Sequence, residues 1–272
     1  MSDDLASLAL RAQWLLGQGQ MADGIQVLRE LIDRAPDYPG AQALLSRAVF
    51  PGPHYREILK AIHSRLHPQT YLEIGVESGA TLAFATGCEV AVGVDPEPLD
   101  SVASLPAPLQ VFRETSDAFF SGRTRASVFG ERELDLVFID GLHLFEQTLR
   151  DFVHVEAWSN ANTVVVLHDC LPVCAAAAAR NRISKFWVGD TWKVLEVLLA
   201  RRPDLNISVI PAPPSGLVVV RGLDAQSSLL RQHMTEILNE YSDLPYPHRY
   251  GAWSDVYRLV ENSMRGVDQV LR

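Results

Sequence analysis

Two short runs gather the polar residues best suited to chemistry: Ile139-Asp140-Gly141-Leu142-His143 and Leu167-His168-Asp169. Each follows an apolar segment, Leu134 to Ile139 in the first case and Thr163 to Leu167 in the second. Apolar segments of that length read as buried strands, which puts an acid at the end of each. His143 lies three residues beyond Asp140, where a neutral imidazole can take a proton from a substrate hydroxyl. Asp140 and His143 are therefore the candidate catalytic residues. His168 and Asp169 bring a second histidine and a second acid to the neighbouring strand end. Cys170 and Cys174 are four apart, but no second pair completes a tetrahedral set, so they read as small buried residues.

A second constellation lies upstream. Glu73-Ile-Gly75-Val-Glu-Ser-Gly79 follows the apolar run Thr70 to Ile74, with an apolar helix expected after it. Glycines at such a turn let a backbone approach a ligand, and a helix start offers free amides. The next strand, Val90 to Val94, ends on Asp95, about twenty residues after the turn, where an acid can accept from both hydroxyls of a ribose. Together they point to a cofactor containing a nucleoside. Ser116 and Asp117 follow a third strand, Leu109 to Arg113, and read as a helix N-cap.

These residues need a scaffold that collects strand ends. Between Tyr55 and Val220, strands and helices alternate, and the strands are apolar without strict two-residue alternation. That pattern suits a parallel sheet covered on both faces. Ile207 to Ile210 and Leu217 to Val220 flank Pro211-Ala-Pro-Pro-Ser-Gly216 and predict a closing antiparallel pair. The fold class is α/β: a doubly wound, Rossmann-like, mostly parallel seven-stranded sheet with an antiparallel last strand. In such sheets ligands sit at the carboxyl ends of the strands, at the point where strand order reverses. Residues 1–50 read as a helical extension resembling one tetratricopeptide unit, and Pro51-Gly-Pro marks the start of the main domain, 51–272.

The acid-x-Gly-x-x-x-Gly turn resembles the first motif of class I S-adenosylmethionine-dependent methyltransferases. By that resemblance Glu73, Gly75 and Gly79 line the methionine end, Asp95 holds the ribose, and Ser116 and Asp117 reach the adenine. The Ile-Asp-Gly-x-His run with the acid after the fifth strand resembles a metal-dependent subgroup, the O-methyltransferases of sugars and natural products. It implies Mg²⁺ or another divalent cation on Asp140 and Asp169, with His143 as general base. Where those relatives carry an acid, this chain has His168, and imidazole suits Zn²⁺, Mn²⁺ or Fe²⁺ better than Mg²⁺. Either the metal differs with His168 as a ligand, His168 is no ligand, or the metal is gone.

The expected activity is methyl transfer to a hydroxyl of a small molecule, a sugar or natural product. One alternative is a metal-free methyltransferase using His143 or His168. Another is a non-catalytic cofactor-binding scaffold whose helical arm recruits a partner. The phosphate-binding glycine pattern of nicotinamide enzymes is missing. A formal charge of −9 argues against a nucleic-acid partner. No apolar run is long enough to span a bilayer, and no leader pattern opens the chain, so a cytoplasmic protein without membrane partners is expected. The helical arm or the aromatic stretch Tyr246 to Tyr257 would carry any homo-oligomer contact. Trp187 and Trp192 read as packing residues, and Asp190 as a helix N-cap.

Overall fold

The computed structural model describes residues 2–106, 108–246 and 257–272. Seven strands form one sheet: β1 (Thr70–Ile74), β2 (Val90–Val94), β3 (Leu109–Phe112), β4 (Leu136–Ile139), β5 (Val164–His168), β6 (Asn206–Ile210) and β7 (Leu217–Arg221). Their order is β3-β2-β1-β4-β5-β7-β6. Strands β1 to β5 are parallel, and β7 runs antiparallel to both β5 and β6. The order reverses between β1 and β4, so the carboxyl ends of those two strands flank the crevice.

Burial explains why the strands read as continuous apolar runs. Along β1, Leu72 and Ile74 join a core that includes Phe145, Leu149 and Phe152. Tyr71 joins the core of the opposite face, with Ile58, Leu59 and Ile62. Helices α4 (Tyr55–Leu66) and α12 (Met264–Val270) cover this second face. Helices α5 (Ser116–Gly122), α7 (Phe145–Trp158) and α9 (Trp192–Arg201) cover the first. Shorter α-helices among the described residues are α6 (Arg125–Phe129), α8 (Ala175–Ala178), α10 (Leu229–Gln232) and α11 (Met234–Tyr241).

The arm comprises α1 (Ser2–Gly17), α2 (Met21–Arg34) and α3 (Ala41–Val49), and it shares the first core. Ser46 donates to the Pro214 carbonyl at 2.7 Å, and the Lys185 amide donates to Asp37 at 2.6 Å. Among the described residues no helix is long and apolar enough to cross a membrane. The cysteines are free and buried.

One expectation is corrected. No α-helix follows the glycine turn; a 3₁₀ segment, Leu82–Gly87, stands there and is kinked at Ala85. A five-residue strand spans about 17 Å, which needs about eleven α-helical residues to retrace. Only Ala80 to Glu89 separate the turn from β2. The steeper 3₁₀ rise covers the distance with fewer residues. Of the aromatic stretch, Pro247 to Val256 lies outside the described residues.

Candidate active site

A cleft of about 470 Å³ opens at the carboxyl ends of β1, β2 and β4. The glycine turn forms its floor. Gly75 has φ +86, and a Cβ there would lie 2.0 Å from the Asp140 carbonyl oxygen. The glycine therefore lets the chain leaving β4 cross against the turn leaving β1, which locks the two halves of the site together. Gly79 (φ +77) packs toward Leu105 and does not line the cleft. Glu73 does not line it either. Its carboxylate is fully buried behind the turn and accepts from Tyr71 at 2.5 Å and Thr81 at 2.9 Å. Burial pushes its pKa up to about 8.

Asp95 lines the cleft at the end of β2. Its Oδ2 accepts from the amides of Val76 (2.9 Å) and Glu77 (2.8 Å), and its Oδ1 from the amide of Glu97 (2.8 Å). The carboxylate ties the glycine turn to β2 and keeps one lone-pair position free on Oδ1. At the far end Thr115, not Ser116, caps α5 by accepting from the Ala118 amide at 3.2 Å. Ser116 is thereby released to line the cleft, where it accepts from Gln147 at 3.1 Å. Asp117 points away, toward Gln147 (3.2 Å) and Arg150 (3.4 Å), and is not in the lining.

At the other end of the cleft, donor atoms of Asp140, His143 and Asp169 lie within 4.8 Å of one another. His143 Nε2 is 3.1 Å from Asp169 and 3.4 Å from Asp140. The Trp187 backbone also contributes to the environment of the ring. A neutral imidazole so held would aim a lone pair at two anions, so Nε2 carries either a proton or a cation. Burial lowers the His143 pKa, but the Asp169 charge and the Asp140 contact overcome it and hold it near 9. A cation at ordinary ligand distances of about 2.0–2.2 Å sets its donors about 3 Å apart, which these contacts match. The donor set fits a divalent ion.

His168 plays a different part from the metal ligand expected of it. Its Nδ1 is 3.0 Å from Asp140 and its Nε2 is 3.3 Å from Ser215 Oγ. Ser215 gives its one proton to Asp169, so it can only accept from His168. With Nε2 facing Ser215 and Nδ1 facing the carboxylates, His168 stands beside the Asp140, His143 and Asp169 cluster rather than within it. Burial lowers its pKa, but the Asp140 and Asp169 charges win and raise it. Tyr55 stacks on this ring at 4.0 Å between centroids. Burial would raise the Asp140 pKa, but the His168 charge and both histidine contacts bring it well below normal, while burial raises that of Asp169. Asp169 has φ +60, an uncommon conformation for a residue with a side chain.

The first run, Ile139 to His143, is held in place from a distance. Asp190, expected as the cap of its own helix, accepts from the Phe145 amide at 2.8 Å and so caps α7 instead. Gly189 (φ +64) leaves room for the His143 carbonyl, which a Cβ would meet at 1.7 Å. Trp187 donates to the Ala179 carbonyl at 2.6 Å, and its ring lies 5.5 Å from that of His143.

Sequence reasoning missed Tyr55, Arg56, Gln147 and Asp151 in the lining, and Ser215 behind it. Gln147 and Asp151 are polar residues four apart on α7, a spacing that puts them on one helix face. Ser215 lies 46 residues from Asp169, and nothing local marks it.

Residues 72–170 match the sequence model of a family described as a methyltransferase domain. No curated protein matches the chain. Among solved structures it is similar to the O-methyltransferase TomG of Streptomyces achromogenes, involved in tomaymycin synthesis and solved with SAM. Identity is 16%, the TM-score is 0.50, and the match covers 62% of this chain and 79% of that one. A second similar structure is the SAH-bound methyltransferase PaMTH1 of Podospora anserina, at 16% identity and TM-score 0.48, covering 74% of this chain and 88% of that one. The TomG likeness shows the Rossmann-like methyltransferase fold. The family match is confined to residues 72–170, which run from β1 to the end of β5 and hold the strand ends that flank the cleft.

Proposed function

We propose that the chain transfers the methyl group of S-adenosylmethionine to a hydroxyl of a small molecule, a sugar or other natural product, with the help of a divalent cation. The observation that carries this reading is the convergence of Asp140, His143 and Asp169, the first two lining the cleft that Asp95 also lines. Three donors gathered on one side leave coordination positions free for an acceptor hydroxyl. A cation bound there would lower the pKa of that hydroxyl and fix its direction. Asp140 and Asp169 supply hard oxygen donors, and His143 Nε2 is the third donor rather than the free base its position in sequence suggests. His168 keeps one positive charge beside the two carboxylates. The set then suits Mn²⁺ or Fe²⁺ as well as Mg²⁺. Methyl transfer itself needs the acceptor oxygen and the sulfonium methyl in line, which is a positioning task for the cleft walls.

The charges also favour a second reading. Two carboxylates and two imidazoliums would already neutralise one another, so the rival is a metal-free enzyme in which the neutral fraction of His143 takes the acceptor's proton. Metal binding separates the two, because a cation must displace the proton on His143 Nε2. Calorimetry with Mn²⁺ at pH 7.5, in buffers of different ionisation heat, should show release of about one proton per ion. Asp140→Ala, Asp169→Ala and His143→Ala should each weaken Mn²⁺ binding by about 10–100-fold or more and leave S-adenosylhomocysteine binding in place. A wild-type protein that takes up no divalent ion, yet turns over hydroxylated acceptors in chelator, establishes the metal-free reading. Mn²⁺ retained by His143→Ala returns His143 to the role of base.

A further inference from the structure

S-Adenosylmethionine carries two cationic groups, the sulfonium and the α-ammonium, and one anion, the α-carboxylate. The cleft wall is the reverse in composition: Glu77, Asp95, Asp140 and Asp151 line it, and Arg56 is the only lysine or arginine among the described residues that do. The sheet order fixes which cofactor group meets which wall. Asp95 ends β2, Gly75 ends β1, Asp140 ends β4 and His168 ends β5, in the spatial order β2-β1-β4-β5. With the ribose at Asp95, the reacting methyl must face the Asp140 end. The amino-acid portion then continues toward the start of α4, where Tyr55 stacks on His168 and Arg56 follows it.

Several backbone amides between the glycine turn and the start of α4 are already spent. The Gly75 amide donates to the Val94 carbonyl, and those of Val76 and Glu77 donate to Asp95. At the start of α4 the Tyr55 amide donates to the Pro213 carbonyl and the Arg56 amide to His54 Nδ1. The Arg56 side chain spends only Nε, on Tyr55 Oη at 3.1 Å, and its terminal nitrogens make no hydrogen bond among the described residues. Its Cζ stands 5.6 Å from the Tyr55 ring centroid, so the ring braces the guanidinium at the cleft mouth.

We propose that Arg56 binds the α-carboxylate of the cofactor's amino-acid portion and thereby fixes the direction of the cofactor in the cleft. This rests on the S-adenosylmethionine reading and adds to it a residue outside the stretch that matches the methyltransferase domain. A guanidinium presents paired N–H groups that match a carboxylate, which a lysine ammonium does not.

The test compares two ligands that differ in the amino-acid portion. S-Adenosylhomocysteine carries the α-carboxylate; 5′-methylthioadenosine shares the adenosine and lacks it. Arg56→Met should weaken S-adenosylhomocysteine about tenfold or more in calorimetry, as loss of a charge-assisted hydrogen bond implies. Its affinity for 5′-methylthioadenosine should stay within about twofold of wild type. Arg56→Lys should recover part of the loss, for the first ligand alone. Equal weakening of both ligands, or of neither, overturns the proposal. A wild-type protein that binds neither ligand refutes the cofactor reading itself. The side chain is exposed, so these variants keep the fold, and circular dichroism checks that they do.

Discussion

At the scale of single residues, Asp95 has a proposed role that can be read from the sequence and a structural one that cannot. Its place at a strand end after a glycine turn marks it for a ribose. Its three amide partners, on the β1 turn and at Glu97, are a structural duty that no spacing rule announces. Asp95→Ala should therefore weaken S-adenosylhomocysteine at least tenfold and also lower folding stability by about 1–3 kcal/mol, because two turn amides lose a charged acceptor. Calorimetry and urea denaturation measure the two effects separately. Unchanged affinity with lowered stability would leave Asp95 a purely structural residue. The same division applies at the other strand ends. Asp140, His143 and Asp169 stand out as a run of polar residues after apolar strands. The state of His168 depends on the one proton of Ser215, which a reading of neighbours in sequence does not reach.

Elements were legible where burial dictates composition. All seven strands fall within two residues of their expected limits, because strands covered on both faces must be apolar throughout. The 3₁₀ segment after β1 was not legible, since its apolar residues suit either helix type and only the distance to β2 decides. Helix α4 carries a cost that the sequence also hides. His63 is buried between Tyr71 and Phe84, and neither of its ring nitrogens finds a hydrogen-bond partner among the described residues. Burial lowers its pKa from 6.5 to about 4. Between those values the unfolded chain binds a proton that the folded one refuses, so stability is full above about pH 6.5 and falls as pH drops toward 4. The loss between pH 7 and pH 5 should be about 2 kcal/mol from this residue. His63→Leu should flatten that part of the stability profile, measured by urea denaturation at both pH values. A variant as acid-sensitive as the wild type would place the proton uptake elsewhere.

At the scale of the whole molecule, the arm and the site meet through one loop. Pro51-Gly-Pro separates the arm from the sheet in sequence, and the cleft lining begins only at Tyr55. By that measure a chain starting at Pro51 should bind the cofactor. The other end of the site depends on the loop Pro213-Pro214-Ser215, whose Pro214 carbonyl accepts from Ser46 of α3 and whose Ser215 holds His168 and Asp169. Gln42 is buried beside it and accepts from the Cys174 thiol at 3.7 Å. Removing residues 1–48 should also uncover apolar surface around Cys174 and Leu171, which belong to the core the arm shares. The two halves of the site should therefore respond differently. S-Adenosylhomocysteine affinity should stay within about threefold of the full chain, while Mn²⁺ affinity falls about tenfold or more as the residues supporting the donor set loosen. Calorimetry on the full and shortened chains reads both. Loss of cofactor binding together with the fold would make the arm part of the core. An unchanged affinity for Mn²⁺ would mean that the loop holds Ser215 in place without the contact from Ser46.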